Sequence, residues 1–414
     1  MLINRYCQNF IEKALPMIHK KRIGSLTSQV ISLLNNAKLT LTSLGRHAKG
    51  PAKVKHKINM TWRFLKNRGV LDDTHTIYGG IAATYLNCLK NLKIAVDWSG
   101  CCSKDNFLLR ASLLYQGRSI PIYNEVHPVD KHEDEDIHIA FLDNLHALIP
   151  SEVKVTIVTD AGFKTPWFEK VAALGWYFIG RVRGRISCKL NDEDIWSLAK
   201  EFHQKVKRGE TRCLGMGLLG KTSKTQQKVL YIGHFGFAKG RKKSKKGARY
   251  PDAEKMYSSL NSEPWIIATN IYNDADNLNK KPVQMAKIVY NVYKKRMQIE
   301  QNFRDDKSPR FGFAWRESRT RDTAKISTLC LIATIAALIQ WLIGFSAEQQ
   351  EMHYDFQANT IKTHRVLSFL FLGKQVILHA LERLKIQNLF DAISLFQGRF
   401  LVEIEHEGQL IAEF

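Results

Sequence analysis

The chain has 414 residues, 44% of them hydrophobic, and a formal charge of +23 from 62 Lys and Arg against 39 Asp and Glu. That length excludes a single simple core and implies two to four domains, with enough apolar content for globular packing. The charge makes a polyanion the default partner, meaning nucleic acid or an anionic membrane surface.

The cation is placed rather than spread. Residues 1–70 hold fourteen Lys and Arg and a single acid, Glu12, whereas residues 346–414 hold nine acids and six bases. The seven cysteines form no CxxC pair, and charges interrupt the apolar runs of "MLINRYCQNFIEKALP", which therefore does not read as a signal peptide. A reducing cytoplasm fits.

Residues 1–85 read as helices. "LTLTSLGRHAKG" stops at Gly50-Pro51, and "AKVKHKINMTWRFLKNRG" follows with Val54, Ile58, Trp62 and Leu65 expected on one side and bases on the other. Two short helices about a Gly-Pro break suggest a helix-turn-helix, with Lys53, Lys55, Lys57 and Arg63 as candidate DNA contacts; the alternative is a generic basic bundle. From residue 91 the pattern changes to strands: "LKIAVDWSG", "FLLRASLLYQG" and "RSIPIYNEVHP". The acidic run "HEDEDIH" (132–138) reads as the first turn of a helix rather than as a metal site. A strand "VKVTIVTDAG", a helix around "TPWFEKVAALG" and a strand "WYFIGRVRG" follow. This succession describes a mixed α/β sheet.

Residues 184–262 break the rhythm. They are polar and rich in Gly, Lys and Ser, with one clear strand, "KVLYIGHFGFA", and read as an insertion. "GMGLLGKT" fits a P-loop pattern, but no strand precedes it and no helix follows, so a Gly-rich turn is expected. "KGRKKSKKGAR" (239–249) reads as a phosphate-binding loop with Lys242 and Lys243 as contacts. A strand "EPWIIATN" then carries Trp265. The 22 residues "ISTLCLIATIAALIQWLIGFSA" contain no charge and could span a bilayer. Their Ser, Thr and Gln favour a buried helix instead.

Between these lies "YKKRMQIEQNFRDDK", where Tyr293, Arg296, Glu300 and Lys307 stand at offsets 0, 3, 7 and 14. On one continuous helix they fall at about 0°, 300°, 340° and 320°, a single polar stripe beside which Arg304 also lies. Asp97 lies in an apolar strand, and Asp160 ends another, where sites form in open α/β sheets. Burying an unpaired acid costs several kcal/mol, so these carboxylates need partners. Two Asp and one Glu form an all-oxygen set suited to Mg²⁺ or Mn²⁺, a pair of which can drive phosphodiester chemistry.

The intact Tyr-x2-Arg-x3-Glu-x6-Lys pattern resembles the signature of bacterial cut-and-paste DDE transposases of the insertion-sequence-four family. "VDWSG", "VTDAGFK", "GWYFIGRVRG", "EPWIIATN" and "KRMQIEQNFRD" extend the likeness over nearly the whole chain. The resemblance implies an RNase H-like mixed-sheet catalytic core (86–183 and 263–345) with a β-rich insertion (184–262), which suits the 140-residue gap between Asp160 and Glu300. A helical DNA-binding domain (1–85) and a helical C-terminal dimerisation domain (346–414) flank it. By the same likeness Asp97, Asp160 and Glu300 are catalytic and hold Mg²⁺, with Mn²⁺ able to substitute. Tyr293, Arg296 and Lys307 contact phosphate, and Trp265 holds a flipped base. The implied partners are transposon inverted-repeat ends, target DNA and a second copy of the chain, in a bacterial, nucleoid-associated setting with no membrane. Cys101-Cys102 and "HEDEDIH" depart from the relatives. The rival readings are a decayed transposase that only binds ends and a simple Mg²⁺ nuclease.

Overall fold

A computed structural model describes residues 2–115, 117–222, 226–236, 263–358, 360–385, 387–389 and 391–399. Six helices come first: α1 (Leu2–Ala14), α2 (Lys20–Leu34), α3 (Leu41–His47), α4 (Val54–Leu65), α5 (Arg68–Asp72) and α6 (Thr74–Leu86). Thr40 and Asn67 cap α3 and α5 by accepting from the backbone N–H of Ser43 and Val70. Then come strands β1 (Asn91–Gly100), β2 (Asn106–Leu113) and β3 (Ile120–Pro128), helix α7 (Glu135–His146), strand β4 (Lys154–Thr159), helix α8 (Thr165–Ala173) and strand β5 (Tyr177–Val182). Strands β6 (Ser187–Leu190), β7 (Ser197–Leu198), β8 (Glu210–Leu219), β9 (Gln227–Phe235) and β10 (Trp265–Thr269) follow. Helices α9 (Pro282–Lys295), α10 (Met297–Lys307), α11 (Thr323–Gln349), α12 (His353–Phe356) and α13 (Phe369–His379) complete the named elements.

The described residues divide into two compact units, those within 2–154 and 297–399 and those within 155–296. In the first, β1, β2 and β3 form an antiparallel meander with a bulge between Ala111 and Ser112. Helices α6 and α11 pack on β3, and α10 packs on β1. Cover from helices explains why β2 is buried along nearly its whole length. Asp322 caps α11 by accepting from the Lys325 N–H, and the helix is then buried on all sides against α2, α4, α5, α6 and α13. It is long and apolar enough to cross a membrane, yet 94% of its apolar window is buried inside the protein. It is the core helix of this unit.

In the second unit the strands run in the order β4-β5-β10-β9-β8-β6-β7. The β4–β5 pair is parallel and the others are antiparallel. Helix α8 packs on β5, and α9 crosses β5, β8 and β9. The sequence offers one clear strand between 184 and 262, and four are present among the described residues of that range. "GMGLLGKT" does not form a Gly-rich turn; its first five residues lie in β8, with Gly217 so close to the backbone of Lys189 on β6 that no side chain would fit. The glycines serve strand-to-strand approach, which explains why they read as turn residues.

One local expectation in the first unit changes and another holds. α3 and α4 do flank Gly50-Pro51, and Gly45 lets the α4 backbone at Ile58 come close. However, α4 buries Thr61, Phe64 and Leu65, while Val54 and Trp62 are exposed at 52% and 44%. The helix is pinned by one narrow face, with the Thr61 hydroxyl donating to Gln29 Oε1, so its flanking apolar residues stay in solvent. The acidic run at 132–138 starts α7, as expected: Asp134 accepts from the N–H groups of Asp136 and Ile137.

Candidate functional site

The first unit contains a cleft of about 650 Å³ lined by Asp97, Trp98, Ser99, Glu300, Phe303, Arg304, Lys307 and Arg316, among others. Burial along β1 falls off after Val96, so Asp97 is half-buried where the strand leaves the core. Its Oδ1 accepts the Trp98 N–H at 2.9 Å. The Trp98 indole N–H donates to His138 Nε2 at 2.8 Å, which places the imidazole proton on Nδ1 when His138 is neutral.

Helix α10 supplies the other wall. It buries Ile299, Asn302, Phe303 and Asp306, and this turns Glu300 and Lys307, seven residues apart, to the cleft. Arg304 is exposed beside them. The Lys307 ammonium donates to the Ser99 hydroxyl on β1 at 2.6 Å. Burial pushes the Lys307 pKa below the usual lysine range, and the nearby Arg316 and Arg110 guanidinium groups push the same way. A cation whose solvation is reduced and which has other cations beside it gains from an added phosphate.

In the second unit Asp160 follows β4 and accepts the Gly162 N–H at 2.8 Å, closing a tight turn. Tyr293 lies on the inner face of α9, only 3% exposed. Burial raises its pKa; Arg296 and Arg181 oppose that shift and the Asp160 charge adds to it. These four groups therefore share one electrostatic neighbourhood. The Arg296 guanidinium lies 5.8 Å from the centre of the Tyr293 ring. Trp265, half-buried at the start of β10, meets Tyr293 edge-on at 5.3 Å and tilts toward His234 at 5.5 Å.

Arg181 on β5 escaped the sequence reading. Its Nε and Nη2 are buried without a hydrogen-bond partner among the described residues, and burial lowers its pKa, with Arg183 and Arg296 adding to the effect. A guanidinium held this way is poised for an anion. The available signal was an arginine inside the apolar strand "YFIGRV".

The stripe on "YKKRMQIEQNFRDDK" is divided. The helix breaks at Arg296, whose N–H bonds the carbonyl of Tyr293 rather than that of Val292, so Tyr293 lies in the last turn of α9 and Glu300 in the first turn of α10. Glu300 and Lys307 share one face; Tyr293 and Arg296 are buried rather than displayed. On α4, Lys53, Lys55 and Arg63 are exposed and Lys57 is half-buried. Lys242 and Lys243 lie outside the described residues. Among the described residues no group of three or more His, Cys, Asp or Glu is gathered as a metal cage. The acids that line the cleft are Asp97, Glu300 and Glu317, the last paired with Lys38 at 2.7 Å, and their carboxylate oxygens fit a hard cation such as Mg²⁺ and not Zn²⁺.

A family model described as the transposase DDE domain matches residues 96–339. No curated protein and no solved structure matches the chain.

Proposed function

The chain belongs to the transposase DDE-domain family, whose model spans more than half of it, and on that premise we propose a cut-and-paste transposase of the insertion-sequence-four group, most like the transposase of transposon ten. As a transposase it acts on DNA. We assign it the inverted-repeat ends of its own element, paired by two copies of the chain, and an RNase H-like catalytic core. The observation that carries the reading is the cleft in the family-matched segment where Asp97, Glu300 and Lys307 meet.

In this reading Asp97, Asp160 and Glu300 bind Mg²⁺ through carboxylate oxygens. When bound, the metal lowers the pKa of an attacking water or 3′-OH and neutralises charge on the leaving oxygen. The chain's own residues position the DNA. Lys307, its ammonium fixed on Ser99 at 2.6 Å, takes a phosphate oxygen near the scissile bond. Arg296, with the Tyr293 hydroxyl and Arg181, holds a second phosphate, and the half-buried Trp265 offers a face to an unstacked base. Four steps follow: hydrolysis of one strand, attack of the freed 3′-OH on the other strand to give a hairpin and release the flanking DNA, hydrolysis of the hairpin to restore the 3′-OH, and attack of that 3′-OH on target DNA. The exposed cations of α4 support recognition of the ends by the N-terminal helices.

The direct test incubates the full-length protein and Mg²⁺ with duplexes carrying the inverted repeats that flank its gene. Nicks at the repeat boundary, then hairpins, then joined products are expected. Tight end binding with no nick in Mg²⁺ or Mn²⁺ would identify an end-binding protein that has lost its chemistry. Nicking without preference for the repeats would identify a nuclease.

A further inference from the structure

We infer that Arg110 is the positioning residue that keeps the helix of Glu300 and Lys307 in register with the strand of Asp97, an inference that rests on the carboxylate reading above. Arg110 is 1% exposed and stands directly opposite Asp97 in the antiparallel β1–β2 register. Residues paired in this way project from the same face of a sheet. From that face the Arg110 guanidinium reaches α10. Nη1 donates to Asp306 Oδ2 at 2.6 Å and also to Asn302 Oδ1, and the group lies 4.9 Å from the centre of the Phe303 ring. Nε donates to Asn124 Oδ1 on β3 at 2.6 Å, and Asn124 in turn donates to Thr334 on α11 and Tyr78 on α6.

The spacing gives this anchor its leverage. With Glu300 at 0°, Arg304 and Lys307 fall at about 40° and 340°, and Asn302, Phe303 and Asp306 at about 200°, 300° and 240°. Arg110 thus grips one flank of the helix while the adjacent flank carries the groups of the cleft. A slide of one residue moves Glu300 by about 1.5 Å and turns it by about 100° relative to Asp97. A buried ion pair adds little stability over apolar residues of the same volume, so its retention here is explained by the geometry it fixes. None of these bonds reaches Asp97, Ser99 or Glu300; apart from its grip on the helix, Arg110 acts on the cleft only through its charge near Lys307.

The test compares wild type with the double variant Arg110→Met, Asp306→Leu, in which apolar atoms replace the pair. Three measurements are made on the full chain: thermal unfolding, amide hydrogen exchange across residues 297–307, and Mn²⁺ binding followed by electron paramagnetic resonance of the free ion. The expected result is an unfolding temperature held or raised, with exchange in α10 faster by about tenfold and Mn²⁺ affinity weaker by about tenfold or more. Unchanged exchange in a folded double variant overturns the inference. Should the double variant fail to fold, Asn302→Leu keeps the ion pair and removes one tether. It should still speed exchange in α10 with its melting held, and unchanged exchange there counts against the tether equally. A wild type that binds no Mn²⁺ overturns the carboxylate reading instead, while the exchange comparison still decides the role of Arg110.

Discussion

In the proposed function Lys307 is a binding group rather than a stabilising one. Its ammonium is partly buried beside Arg316 and Arg110, and its pKa is lowered, so the folded protein holds that proton less tightly than the unfolded chain does. Between the lowered pKa and the ordinary lysine value the unfolded state binds more protons, so stability rises with pH through that window, and the penalty is fully present below it. Lys307→Met should therefore flatten the alkaline rise in a stability-versus-pH series and leave melting at neutral pH unchanged or higher. Nicking of end DNA should fall by about 100-fold, the order expected for one charge-stabilising donor. A drop in melting together with normal nicking would make Lys307 structural. Trp265 separates similarly: Trp265→Ala should spare first-strand nicking and cut hairpin yield by roughly 5- to 150-fold, matching about 1–3 kcal/mol of lost stacking. Loss of melting temperature with all activities falling together would return Trp265 to the core. That Asp97 and Glu300 line one cleft was legible to the extent that an acid inside an apolar strand, or on a marked helix, needs explaining. Arg110, Asp306 and Arg181 were not, because their importance lies in partners that only the fold supplies.

At the scale of elements, patterning carried most of the strands and helices but not their faces. β1 to β5 and β10 fall on the apolar runs quoted from the sequence, since strands covered by helices are apolar on both sides. β6, β7 and β8 were missed because half-buried residues and strand-packing glycines mimic a loop composition. The exposed face of α4 was misjudged because periodicity gives a stripe and not what covers it. The break at Arg296 was invisible, since both helices have good helical composition and only the backbone bond to Tyr293 marks the boundary. The uncharged run of α11 was legible as a buried helix, though the sequence could not show its close crossing with α13. There Gly344 faces the backbone of Phe369 and Gly373, and Gly373 faces Gln340, whose side-chain amide donates to the Leu370 carbonyl at 2.6 Å. Gly344→Ala has no room without separating the helices and should cost about 1–3 kcal/mol, read as a lowered denaturant midpoint. An unchanged midpoint would show that the crossing yields more easily than a close-packed core should.

For the whole molecule, the charge distribution was the first signal, and it anticipates DNA more firmly than any one motif. Fourteen bases against one acid in residues 1–70 provide cations far beyond what folding requires. If about six of them neutralise phosphates, affinity for end DNA should fall on the order of 10³-fold between 50 and 200 mM salt. Replacing Lys55 and Arg63 together should reduce that slope, and a salt-independent affinity would argue against a phosphate-based grip. The central claim, however, is that the carboxylates perform the chemistry while the cations perform the binding. The most direct measurement is Asp97→Ala in full-length protein, assayed side by side for end binding and for Mg²⁺-dependent nicking of the flanking repeats. Wild-type affinity for the ends with no detectable nick or hairpin is expected. Nicking that persists in Asp97→Ala at the wild-type position and in the same metal would contradict the central claim.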